Sequence, residues 1–168
     1  MAKSKSEIKR LTSHELKKQD KKLEGTYPVD LVINETVYEI IVDEHFRKSK
    51  IFQLLDDMIR FYNEANKPLN ASLLELSTPY STLLIIKHFT DFEVSDDINE
   101  ALAVLNLLID LDLLDKILNA MPEQEITKVY EMLSQMLTNM QVNLEEAEKQ
   151  ADELGKQVAN SEVKTLVQ

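Results

Sequence analysis

The sequence predicts a mainly α protein: a small N-terminal β-hairpin packed on a compact helical domain, then a long C-terminal helix with a heptad pattern. Three observations carry this. Only "VDLVINETVYEIIVD", residues 29–43, alternates with period two. After it, apolar residues recur at three- and four-residue steps, the spacing of one helix face. Two glycines and four prolines in 168 residues are too few for a loop-rich all-β chain. A hydrophobic fraction of 43% suffices for the core of one domain.

Residues 1–25 read as a flexible basic arm, with a frayed helix expected around Ser6 to Lys22 and a break at Gly25. In the hairpin, a two-residue loop at Asn34-Glu35 places Ile33 opposite Thr36, Leu31 opposite Tyr38 and Val29 opposite Ile40. Val29, Leu31, Ile33, Tyr38, Ile40 and Val42 then share one face, with Asp30, Val32, Val37 and Glu39 on the other. An isolated hairpin is marginal in water, so its apolar face must lie on helices or on another subunit.

Four helices are expected next. Ser49 is a candidate cap for a helix to about Ala65, with Ile51, Leu54, Leu55, Met58, Ile59 and Tyr62 as its stripe. A short turn at Ser72 to Leu76 precedes a helix with Pro79 in its first turn, capped by Ser77 or Thr78 and running through "YSTLLIIKHFTDF". Ser95, Asp96 and Asp97 open a third, to about Asn119. Its apolar residues nearly encircle it, so residues 98–118 are expected to be the most buried element. Pro122 and Glu123 start the fourth.

The fourth helix has the most regular pattern. Ile126, Tyr130, Leu133, Leu137, Met140, Leu144, Ala147, Ala151, Leu154 and Val158 are separated by alternating steps of four and three. That is a repeat of about 3.5 residues, the seam of a coiled coil. The candidate partner-binding residues are therefore Ile126, Tyr130, Leu133, Leu137, Met140, Leu144, Leu154 and Val158. The organisation expected is an arm over 1–25, the hairpin and helical domain over 26–140, and a projecting helix and tail over 141–168.

The formal charge of −11 is unevenly spread. Residues 1–22 carry eight Lys or Arg and three acids, a net of +5; the rest carry eleven and twenty-seven, a net of −16. An acidic body repels nucleic acid and anionic lipid, and the arm has no aromatic residue to stack on bases. Neither a nucleic-acid nor a membrane partner is expected. No apolar run reaches the ~18 residues of a membrane span, and the basic start has no apolar stretch of a secretory leader behind it. A cytoplasmic protein is expected.

No chemistry-bearing motif stands out. His14, His45 and His88 lie in different segments, and none has a second ligand one helical turn away. Asp110, Asp112 and Asp115 do not converge if they lie on one helix. Zero cysteines exclude thiolate sites, and no Gly-rich phosphate loop, G-x-S-x-G or H-E-x-x-H occurs. Catalytic, cofactor-binding and metal-binding residues are all expected to be none; the chain reads as a non-enzyme that binds other proteins.

The order of elements permits a comparison. A hairpin "VDLVINETVYEIIVDEHFRKSKI" leads into an amphipathic helix, a compact unit with "LLIIKHFTDF" and "ALAVLNLLIDLDLLDKIL", and a long charged helical tail. Over about residues 26–140 this resembles the tail assembly chaperones of long-tailed, siphovirus-type phages and prophages of Gram-positive bacteria. The resemblance implies a non-catalytic protein of the host cytoplasm, absent from the finished virion, that self-associates, binds and solubilises the tape measure protein and helps tail tube protein assemble around it. The clean heptad repeat at the C-terminus departs from that family's pattern. A coiled-coil-forming intracellular adaptor or regulator is the alternative, and DNA-binding regulation through the basic arm is weaker because the body is so acidic.

Overall fold

A computed structural model describes residues 8–67 and 70–166. It is mainly helical, with one two-stranded antiparallel hairpin near the N-terminus and a long C-terminal helix, as expected. The chain divides into two compact units, one ending at Ile126 and the other beginning at Thr127.

Within the basic arm, α1 (Ser13–Asp20) is capped by Thr12, whose hydroxyl accepts from Glu15 N at 3.3 Å. No side chain of α1 is buried. Its link to the body is Arg47, 2.8 Å from Asp20 Oδ1. The start of the expected frayed helix, at Ser6, lies outside the described residues.

Strands β1 (Thr26–Ile33) and β2 (Thr36–Asp43) pair in the expected register, Val29 with Ile40, Leu31 with Tyr38 and Ile33 with Thr36. Asn34 and Glu35 both take positive φ, 48° and 66°, as a type I′ turn requires. Leu31, Ile40 and Val42 are buried, and Val29 and Ile33 are half-buried. Tyr38 departs from expectation: it is exposed, although Leu31, paired opposite it on the same face, is buried.

The outer edge of β2 is engaged at its far end. Thr90 bridges Val42, Asp91 N donates to Ile41 O at 3.0 Å, and Ile41 N donates to Asp91 Oδ1 at 2.7 Å. Since Ile41 directs its polar groups outward, Pro28 opposite it occupies a position with no ladder bond to lose.

Helix α2 (Lys48–Ala65) ends where expected but starts earlier, so Ser49 sits in its first turn and caps nothing. Its buried face is Ile51, Leu54, Asp57, Met58, Phe61 and Ala65. The expected stripe is thus rotated: Leu55, Ile59 and Tyr62 are only half-buried, and Phe61 and Asp57 take the inner positions. A 3₁₀ turn over Ala71–Leu76 follows.

Helix α3 (Ser77–Phe89) has Pro79 in its first turn, but Ser77 and Thr78 are helical and do not cap it. It stops at Phe89, not at Phe92, because Thr90 turns to extended backbone to meet β2. Residues 80–86 and Phe89 are all buried, which makes α3 the central helix. It packs against α2 and, further along, against α4 (Ile98–Asp110) and α5 (Leu114–Asn119). The buried hydroxyl of Ser81 donates back to Thr78 O at 2.7 Å, which lets a polar side chain enter the core.

The expectation that residues 98–118 form one helix and the most buried element is overturned. Asp97 caps α4 by accepting from Asn99 N and Glu100 N. The run then breaks after Asp110, with Asp112 at φ 54° and α5 beginning at Leu114. Only Ala101, Leu105 and Leu108 of α4 are buried. Leu107, Ile109 and Leu111 are exposed, so the apolar character all round marks no central position. Asp110, Asp112 and Asp115 accordingly do not share a helix.

Stacked rings tie the layers together: Phe46 on Phe89 at 3.9 Å between centroids, and Phe61 on Tyr80 at 4.2 Å. The Tyr27 hydroxyl donates to Ala120 O at 2.7 Å, joining β1 to the end of α5. The hairpin therefore closes one side of a helical core and, among the described residues, is part of no larger sheet. Helix α6 (Glu123–Leu166) follows Pro122, and Glu125 in its first turn accepts from Phe46 N at 2.9 Å.

Candidate partner-binding surface

Two places combine polar or apolar side chains in a way that asks for a role: the α6 stripe, and a charged cluster between α2 and α3.

In α6 the alternating steps of four and three keep one row of side chains on one face through a 44-residue helix. Exposure changes along that row. Ile126 and Tyr130 are half-buried and Leu133 is buried. Leu137 is 41% exposed and Met140 is half-buried. From residue 141 to 154 every side chain is exposed, Leu144 at 64% and Leu154 at 61%. The side chain of Val158 lies outside the described residues. Val129, absent from the heptad row, is fully buried, so burial on α6 is not confined to the a and d positions. Alternating apolar steps reveal a shared face; they do not reveal where along the helix that face is covered.

The charged cluster centres on Asp57, buried on α2. Its Oδ2 accepts from Lys87 Nζ at 2.8 Å and lies 2.9 Å from His88 Nε2, while Oδ1 accepts from Arg60 one turn away. Lys87 also reaches Asp96 Oδ1 at 2.6 Å. Burial pushes the Asp57 carboxyl up, but hydrogen bonds from His88, Lys87 and Arg60, with the Lys87 charge, outweigh it and hold the group well below the usual carboxylate range. Burial pulls the Lys87 ammonium down, and its bonds to Asp57 and Asp96 more than restore it, leaving it above the ordinary lysine value. A carboxylate held so low is a poor proton acceptor at neutral pH, and its two oxygens are already engaged by Lys87, His88 and Arg60. The arrangement suits a clamp: it joins α2 to α3 and, through Asp96, to the segment that caps α4.

Sequence reasoning found no second ligand near His88 and missed Asp57. The available signal was the row Ile51, Leu54, Met58, Phe61, Ala65, which puts Asp57 beside an apolar stripe where an acid needs a cation. Among the described residues no three His, Cys, Asp or Glu side chains gather as a metal site, and no helix is long and apolar enough to cross a membrane.

The sequence profile of the YomO family matches residues 14–168, nearly the whole chain. The chain belongs to the YomO family. The name is of a phage-derived, Bacillus type and points to a phage-related protein. The match spans the hairpin, the helical unit and α6 together, so the surface on α6 lies within the part shared with the YomO family. No match is found among curated proteins or among solved structures.

Proposed function

We propose that this YomO-family protein is a non-catalytic tail assembly chaperone of a long-tailed phage or prophage, which binds the tape measure protein, keeps it soluble and helps tail tube subunits assemble around it. The observation that carries this reading is the α6 row from Leu137 to Leu154, an apolar stripe exposed on a strongly acidic chain. Such a stripe takes up a client's apolar helix face while the surrounding charge keeps the complex in solution. The phage-related family and the order of hairpin, helical unit and long helix support the same reading. Its place of work is the host cytoplasm, before the virion is complete.

A coiled-coil adaptor or regulator is the second reading, favoured by the clean heptad spacing of α6. Co-expression with the tape measure protein of the same phage separates the two. A chaperone raises the soluble fraction of that protein and co-purifies with it. An unchanged soluble fraction and no co-purification would remove the chaperone reading.

A further inference from the structure

The charges around the α6 stripe say which helix it suits. With Leu137, Leu144 and Ala151 at heptad position a, Met140, Ala147 and Leu154 occupy d. The flanking e and g positions hold Gln141, Asn143, Glu148 and Gln150, of which only Glu148 is charged. Outside them, Glu145 and Asp152 lie at b on one side, and Glu146 and Glu153 at c on the other. Lys149 and Lys156 lie at f, directly behind the stripe. Residues 141–156 thus carry five acids and two lysines, a net of −3, with Glu148 beside the stripe, four acids on the outer flanks and both cations behind it.

We infer that the exposed α6 stripe receives an amphipathic helix whose own apolar row is flanked by Lys or Arg, and that this is the chemical class of the client segment. The inference rests on the chaperone reading and names its ligand. Long cationic side chains beside the partner's stripe lay their stems along the seam and reach Glu148 and the b and c acids from above. A second α6 offers no such cation: its lysines are also at f, so pairing two copies gains no opposite-charge contact along the seam. Ala147 and Ala151 at the centre leave room for the partner's larger side chains at the same level.

The test uses the full chain and three labelled synthetic helices of the same length. One has Leu at a and d with Lys at e and g, the second has Glu at e and g, and the third is the Lys helix scrambled to abolish the stripe. Anisotropy is read at about 50 and about 300 mM salt, which spans a wide range of charge screening. The Lys helix should bind at least ~10-fold more tightly than the Glu helix and than the scramble, and weaken as salt rises. L144K/L154K should lose that binding. E145Q/E146Q/D152N/E153Q should keep a stripe-dependent affinity but lose most of the preference for Lys over Glu. Equal binding of the Lys and Glu helices, or a preference unchanged by the four neutralisations, overturns the inference. So does an α6-dependent dimer of the protein alone that leaves no site for the Lys helix. If co-expression solubilises the tape measure protein while the Lys preference is absent, the client chemistry is wrong and the chaperone reading stands. Lys preference without solubilisation removes the chaperone reading and leaves a receptor for basic helices.

Discussion

Lys87 Nζ sits 2.8 Å from Asp57 Oδ2, and both side chains are largely shielded from water. The pair spans α2 and α3, and removing one partner leaves the other charge in a place where water cannot fully solvate it. Asp57→Ala is therefore expected to cost about 3 kcal/mol, the scale for breaking a buried ion pair. A fall in thermal midpoint larger than that of any exposed acid-to-alanine change checks it.

The same carboxyl sets an acid limb. Its folded value lies below the ordinary 3.8, so the stability it contributes is fully present above about pH 4 and is lost as pH falls toward the folded value. The thermal midpoint should drop steeply below about pH 4, and D57N, with a lower starting point, should show a shallower drop. Parallel acid limbs in the two proteins would place the titrating groups elsewhere.

Neighbouring leucines in α4 should behave oppositely. Leu108 is 4% exposed and Leu107 is 59% exposed. L108D places an unpaired charge in the core and should unfold the protein, at a cost of several kcal/mol, about the whole margin of a small domain. L107D should change stability by less than about 0.5 kcal/mol. Circular-dichroism melts of the two variants decide this.

That contrast also marks how far the sequence could be read. The hairpin register was legible because period-two alternation and a two-residue gap admit one pairing that buries Leu31, Ile40 and Val42. The split between α4 and α5 was not, because "LLIDLDLLDK" has no Gly or Pro, and an Asp supplies the left-handed residue that ends the helix. An apolar run without polar interruptions hides which of its faces is covered. The same limit applies at the candidate surface: Leu133 and Leu144 belong to one heptad row, yet the first is buried and the second exposed. Asp57 was hidden for another reason, since its partners Lys87 and His88 lie thirty residues away in sequence.

The turn offers a stabilising change. Glu35 holds φ 66°, a region that costs a residue with a side chain about 1 kcal/mol and costs glycine almost nothing. Glu35→Gly creates Asn-Gly, the favoured type I′ pair, and should stabilise by about 0.5 kcal/mol after the extra chain entropy of glycine is counted. A denaturant midpoint that moves downward would show that Glu35 makes a compensating contact.

Removal of residues 1–22 should barely alter folding. α1 buries no side chain, and its Asp20–Arg47 pair is partly exposed, which limits its contribution to less than about 1 kcal/mol. A loss of many degrees in the thermal midpoint would show that the arm docks on the body more extensively than this pair.

Truncation after Met140 tests the surface itself. Among the described side chains beyond Met140 none is buried, so truncation there removes none of the described core and should leave the thermal midpoint within a few degrees of the full chain. The expected losses are in binding: lower recovery of the tape measure protein in a pull-down and, where the chain self-associates through α6, lower mass by light scattering. L144K/L154K should reproduce both effects without shortening the helix, since each lysine places a charge on the apolar row. Ala147 and Ala151 make the row too thin for a strong zipper between two copies, so client binding should suffer more than oligomeric mass. Full client recovery by the truncated chain would move the contact surface to the first unit, where the exposed Leu107, Ile109 and Leu111 at the end of α4 are the next apolar patch.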